Sequence, residues 1–267
     1  MIKWICLGFL FLLASRNIIS GQNSSLADQY YRQDDEFTKN MMPDSAIYYF
    51  KQAAAEYKTG KQTEKLITAY NQIGTMLTRQ DKYEEGRMYL GMAELAGNTL
   101  PDTNHLLRAS TFLGIGVIYN AVGDYNGALG YHYRALSIRL LKLGENNADV
   151  ATCYGNIGNV YLNKKEYDSS LEAHLKAMTI RKKLFGEKSL EITQSYNNLG
   201  IVYKEKKEYD TSLEYFQKAL DNKINLLGPE HKDVAKLYNS MSSVYYLMDD
   251  QKQGDLYKAK ADEILNQ

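Results

Sequence analysis

Cysteine and proline are both scarce, with 2 and 3 residues among 267. Excess charge of either sign is absent, since 32 Lys and Arg balance 32 Asp and Glu. With so few cysteines a disulfide framework is excluded, so packing alone must hold any exported form together. Three prolines and no Gly-X-Y period exclude a collagen-like chain. Charge neutrality argues against a nucleic-acid binder, which works by neutralising phosphates. The longest apolar run, Trp4 to Ala14, has 11 residues, too short for a bilayer span of about 20. What remains is abundant: 44% hydrophobic residues and 23 tyrosines, enough for a sizeable core and incompatible with a disordered chain.

The amino end reads as a targeting segment. Lys3 precedes the apolar run, Arg16 ends it, and Ile19-Ser20-Gly21 places a small residue before Gln22. This is the layout of a cleaved secretory signal over residues 1–21; an uncleaved anchor and a buried helix are the alternatives, and only the anchor implies a membrane contact. Cleavage would remove Lys3 and Arg16 and no acid, leaving 30 basic and 32 acidic residues. Cys6 leaves with it, and Cys153 beside Tyr154 reads as a small buried residue in a helix rather than a nucleophile. The expected location is the periplasm, the cell envelope or the medium. Asn23-Ser24-Ser25 matches a glycosylation acceptor.

The rest of the chain is one unit repeated. Gly74, Gly116, Gly158 and Gly200 stand 42 residues apart, as do Tyr83, Tyr125, Tyr167 and Tyr209. The same step relates Tyr119, Tyr161, Tyr203 and Tyr245, and Ala93 through Ala135, Ala177 and Ala219 to Ala261. Gly144, Gly186 and Gly228 form a further column. Within a unit, Tyr154, Ile157, Gly158 and Tyr161 follow the i, i+3, i+4, i+7 spacing of one helix face. After the polar break at 163–166, Tyr167, Leu171, His174 and Met178 give a second stripe. None of the prolines Pro43, Pro101 and Pro229 lies within a stripe, where it would break a helix. Gly144, Gly186 and Gly228 are placed where helices end at positive φ. Each unit is therefore a helix hairpin. A glycine in mid-helix costs about 1 kcal/mol against alanine. It is explained by a close crossing with the second helix, whose facing residues Gly86, Ala128, Ser170 and Ser212 are all small. Since one hairpin cannot bury both faces, neighbours must stack.

Tyr154-x2-Ile157-Gly158-x2-Tyr161 and Tyr196-x2-Leu199-Gly200-x2-Tyr203 resemble the first-helix signature of tetratricopeptide repeats, and the small residues with Ala177 or Ala219 resemble that family's second helix. The 42-residue period, with Gly228-Pro229-Glu230-His231-x-Asp233-Val234-Ala235 as an inter-repeat loop, is similar to the kinesin-light-chain-like class. The resemblance implies an all-α, right-handed superhelical solenoid of about six antiparallel hairpins. The expected organisation is a degenerate hairpin over 22–62, with a faint first helix from about Ser25, core repeats over 63–228 and a capping repeat over 229–267. In that last unit Ser242 and Gln251 replace the usual glycine and tyrosine. Tyr161 and Tyr203, like the mid-helix glycines, are expected to be structural.

At 100° per residue, Asn156, Asn159 and Asn163 fall opposite the buried stripe. The resemblance assigns that side of the first helix to a concave groove. Asn71, Gln72, Asn120, Asn197 and Asn198 occupy the same region of other units, with an apolar section at Gly114, Val117 and Ala121. Asparagine offers donors and an acceptor together, so a ladder of them can hold the backbone of an extended peptide; a merely solvated face copied by duplication is the alternative. The column Gln72, Gly114, Asn156, Asn198 and Ser240 contains no cation, which argues against the family's carboxylate clamp. The chain has no HExxH, CxxC, GxxxxGK[ST] or GxSxG, and Gly114-x-Gly116 lies inside a helix. The expectation is a non-catalytic scaffold for a protein or peptide, with no cofactor, metal or nucleic acid, and with self-association through the partial end faces compatible. The resemblance also admits a sensory input module acting with a membrane histidine kinase.

Overall fold

The computed structural model describes residues 43–266. The expected export signal, the acceptor at Asn23 and the faint helix from Ser25 lie outside these residues. Among the described residues every regular element is a helix. The chain runs α1 (Pro43–Thr59), α2 (Thr63–Arg79), α3 (Tyr83–Gly97), α4 (Leu106–Ala121), α5 (Tyr125–Leu143) and α6 (Ala148–Asn163). It continues α7 (Tyr167–Phe185), α8 (Leu190–Glu205), α9 (Tyr209–Leu227), α10 (Lys232–Leu247) and α11 (Gln251–Leu265). The fold is the expected all-α solenoid: α2 packs on α3, α4 on α5 and so on to α10 on α11, and each hairpin stacks on the next. First helices of successive hairpins also touch, α2 with α4 and α4 with α6, whereas no comparable packing joins successive second helices. Over these three hairpins the first helices therefore lie on the inside of the curve and the second helices splay on the outside.

Each local boundary has a visible cause. His105, Asn147, Ser189 and His231, again 42 residues apart, cap the first helices by accepting from backbone N–H groups of Leu107, Asp149, Ile192 and Asp233. Such caps satisfy donors that the first helical turn leaves unpaired. Two of the four histidines are thereby explained as caps. Gly144, Gly186 and Gly228 end the second helices at φ 75, 77 and 88° with ψ near 180°, a region open essentially to glycine alone. The turn inside each hairpin also needs positive φ, which the glycine columns did not reveal. Asp81, Lys165, Lys207 and Asp249 adopt φ of 60 to 66°, and only Gly123 meets that need with glycine. The next residue closes the turn, as when Glu208 N–H donates to Tyr203 O at 2.9 Å. Since left-handed backbone costs an L-residue about 1–2 kcal/mol, Lys207→Gly should raise stability by roughly 0.5–1 kcal/mol after its extra unfolded-state entropy. Gly186→Ala should lower it by about 1–3 kcal/mol. Paired urea melts check both signs.

The mid-helix glycines mark close crossings. Ser170 Oγ donates to Gly158 O at 2.8 Å and Ser212 Oγ to Gly200 O at 2.7 Å. In the last hairpin the pair is transposed: Ser242 Oγ on the first helix donates to Gly254 O on the second, at 2.8 Å. The unusual Ser242 therefore keeps the crossing intact. The hollow over each glycine is filled from sixteen residues on, by Leu90, His132, His174 and Phe216. Between hairpins a cation recurs. Arg139 donates to Asp149 O (3.1 Å) and contacts Cys153 Sγ (3.4 Å), Arg181 donates to Ser195 Oγ (3.0 Å), and Lys223 pairs with Asp233 (3.0 Å). Cys153 is fully buried, and burial pushes its thiol pKa up, the opposite of an activated nucleophile.

Candidate partner-binding surface

The inner surface is built from the faces of α2, α4, α6, α8 and α10 turned away from their hairpin partners. Its asparagines divide into two groups. Asn71 joins two hairpins: its Nδ2 donates to Leu107 O (3.4 Å) and its Oδ1 accepts from Thr111 Oγ1 (2.9 Å). Asn163 Nδ2 donates to Asn120 Oδ1 at 3.0 Å, linking α6 to α4. These three amides are partly satisfied within the chain. Asn156, Asn197 and Asn198 are half-buried and Asn159 is exposed. Their side chains, like that of Gln72, have no hydrogen-bond partner among the described residues. On these helices a run of amides is therefore free of intramolecular hydrogen bonds.

The apolar section is narrower than the wheel implied. A Cβ on Gly114 would stand 3.0 Å from the Leu90 methyls, so this position is pressed against α3. Val117 and Ala121 are exposed. Two cations close to the groove are paired, Lys236 with Asp233 at 2.8 Å and Lys204 with Glu205 at 3.4 Å, whereas Arg79, in the 42-residue column of Ala121 and Asn163, is exposed and has no ion pair among the described residues. Lys236 and Lys223 together hold the Asp233 carboxyl down at about 2. The inner surface can therefore offer neutral donors and acceptors, and the column Gln72, Gly114, Asn156, Asn198 and Ser240 holds no cation to fix a carboxylate. Among the described residues no three His, Cys, Asp or Glu side chains gather as a metal site.

The sequence model of the tetratricopeptide repeat matches four overlapping windows in the 42-residue register, residues 65–140, 107–183, 149–223 and 191–253. The chain belongs to the tetratricopeptide repeat family. Members of this family generally serve as non-catalytic scaffolds for protein–protein interaction. Among solved structures, the solenoid is similar to BtubC (BKLC) from P. vanneervenii, with a TM-score of 0.71 and 17% identity, over 85% of this chain and 92% of that one. It is also similar to the putative kinesin light chain of Podosopora anserina with nearly identical TPR-like repeats (TM-score 0.64, 12% identity, 76% and 96% covered). The apo form of RapI gives a TM-score of 0.63 at 22% identity, with 75% and 70% covered. At these identities the likeness speaks for the tetratricopeptide fold alone. None of the curated proteins matches the chain by sequence.

Proposed function

We propose that this tetratricopeptide solenoid is an exported, non-catalytic scaffold that holds a protein or an extended peptide along its inner groove. The observation carrying the reading is the set of free amides at Asn156, Asn159, Asn197 and Asn198. Asparagine is a poor helix former, and four unpaired amides on adjacent inner helices are suited to the alternating donors and acceptors of a peptide backbone. The cation-free column Gln72, Gly114, Asn156, Asn198 and Ser240 favours a neutral segment over one anchored by its terminal carboxylate. Affinity would rest on a few such anchors rather than on total area. Export is supported by the leader-like residues 1–21.

Pull-down from an envelope fraction with the wild-type chain and the Asn156→Ala/Asn198→Ala variant tests the groove. Each lost hydrogen bond is worth about 1 kcal/mol, so the double variant should retain its partner roughly tenfold or more weakly. Equal capture of the same proteins by both would remove the groove assignment.

A further inference from the structure

Three hairpins contain the same three-ring stack. In α4–α5, Tyr131 lies between Phe112 (centroids 5.9 Å apart) and Tyr119 (5.5 Å). In α8–α9, Tyr215 lies between Tyr196 (6.2 Å) and Tyr203 (5.4 Å), and in α10–α11, Tyr257 lies between Tyr238 (6.0 Å) and Tyr245 (5.2 Å). The hairpin α6–α7 keeps both outer rings, Tyr154 and Tyr161, but places Ala173 where the middle ring belongs. Neither Tyr154 nor Tyr161 makes a ring–ring contact among the described residues. A cavity of about 220 Å³ stands in the gap, lined by Tyr133, Tyr154, Ile157, Tyr161 and Ala173 together with the charged pair Glu172 and Lys176. Tyr133 reaches across from α5 and its hydroxyl meets that of Tyr161 at 3.1 Å, while its side remains 46% exposed. It covers one side of the gap without refilling it.

We propose that this cavity is a binding site for one aromatic side chain, a tyrosine or a phenylalanine, presented by a partner protein. The occupant's chemistry is given by the chain itself, because rings fill the same space in three other hairpins at the separations favoured by aromatic pairs. A neutral occupant is favoured over a cation. Glu172 is already paired with Lys176 at 2.6 Å, and Lys176 lies over the Tyr154 ring at 5.7 Å. Of the two joined hydroxyls, the acceptor keeps its own proton to donate, which gives a tyrosine occupant a polar contact. Tyr154, Ile157 and Tyr161 project from α6 opposite the asparagines, so this site is separate from the inner groove and does not depend on it.

The test uses p-cresol, the tyrosine side chain as a free molecule, titrated into the full chain carrying ring-labelled tyrosine and followed by NMR. Saturable binding with Kd on the order of a millimolar is expected for so small a ligand, with shifts at the Tyr133, Tyr154 and Tyr161 rings. Ala173→Tyr should restore the stack, keep the melting temperature at or above that of the parent, and weaken p-cresol binding at least tenfold. If that variant does not fold, Ala173→Leu fills the same space and reads the same loss. Absence of saturable shifts at these rings, or undiminished binding in the filled variant, overturns the assignment. So does tighter binding of tetramethylammonium than of p-cresol.

Discussion

Replacing His132 and His174 together by phenylalanine should remove a large acid sensitivity from this solenoid. Both imidazoles are 1% exposed, packed over Gly116 and Gly158, and His132 Nδ1 and His174 Nε2 have no hydrogen-bond partner. Burial lowers both pKa values from 6.5 to about 4, with Arg181 adding to the effect on His174. The bound proton is thus favoured by the unfolded chain. The stability that neutral imidazoles confer is complete above pH 6.5 and is lost as pH falls from 6.5 towards 4. At 1.36 kcal/mol per pH unit the loss reaches roughly 3 kcal/mol for each histidine. Carboxylates act in a different window. Asp233, with its pKa held at about 2, contributes stability above its ordinary 3.8 that disappears only as pH falls further towards 2. Phe216 fills the same position over Gly200, so the chain already shows that a phenyl ring fits there. Urea midpoints at pH 7 and 4.5 provide the measurement. The parent should fall steeply between them and the double variant much less, and parallel losses would show that the buried imidazoles are not the cause.

The glycine crossings predict an effect of similar size. A Cβ on Gly158 would lie 2.7 Å from the His174 ring, while the Ser170 hydroxyl ties the second helix to the first by donating to Gly158 O at 2.8 Å. Gly158→Leu must therefore separate two helices or displace a buried ring. An overpacking cost of about 3 kcal/mol follows. Gly130 is the internal control, because it is also within a helix but a Cβ there meets nothing within 4 Å. Gly130→Ala should stabilise by roughly 1 kcal/mol, the ordinary propensity gain. Thermal melts with opposite signs at two glycines of the same chain would separate packing from backbone propensity. A Gly158→Leu variant as stable as its parent would refute the crossing.

Much of the candidate surface was legible as direction and little as availability. Helical phase places Asn71 and Asn156 on comparable faces, yet Asn71 is bonded to Thr111, forty residues away, while the Asn156 side chain is free. A wheel describes one helix at a time and contains no information about what a neighbouring hairpin brings. The histidines show the same limit in reverse. His105 and His231 belong to a 42-residue column completed by Asn147 and Ser189, and comparing residue types across that column for capping ability, rather than for identity, would have found it.

The 42-residue recurrence alone determined that this protein is a stack of helix hairpins, because apolar spacing within a helix and chain-breaking residues between helices are local properties repeated in register. Contacts between helices were decided only in three dimensions. Which ring fills each glycine hollow, which amides remain unbonded, and the gap left by Ala173 between Tyr154 and Tyr161 all depend on the offset and crossing of separate helices. That geometry arises from packing the whole stack at once, where a residue's neighbours lie twelve, sixteen or forty positions away.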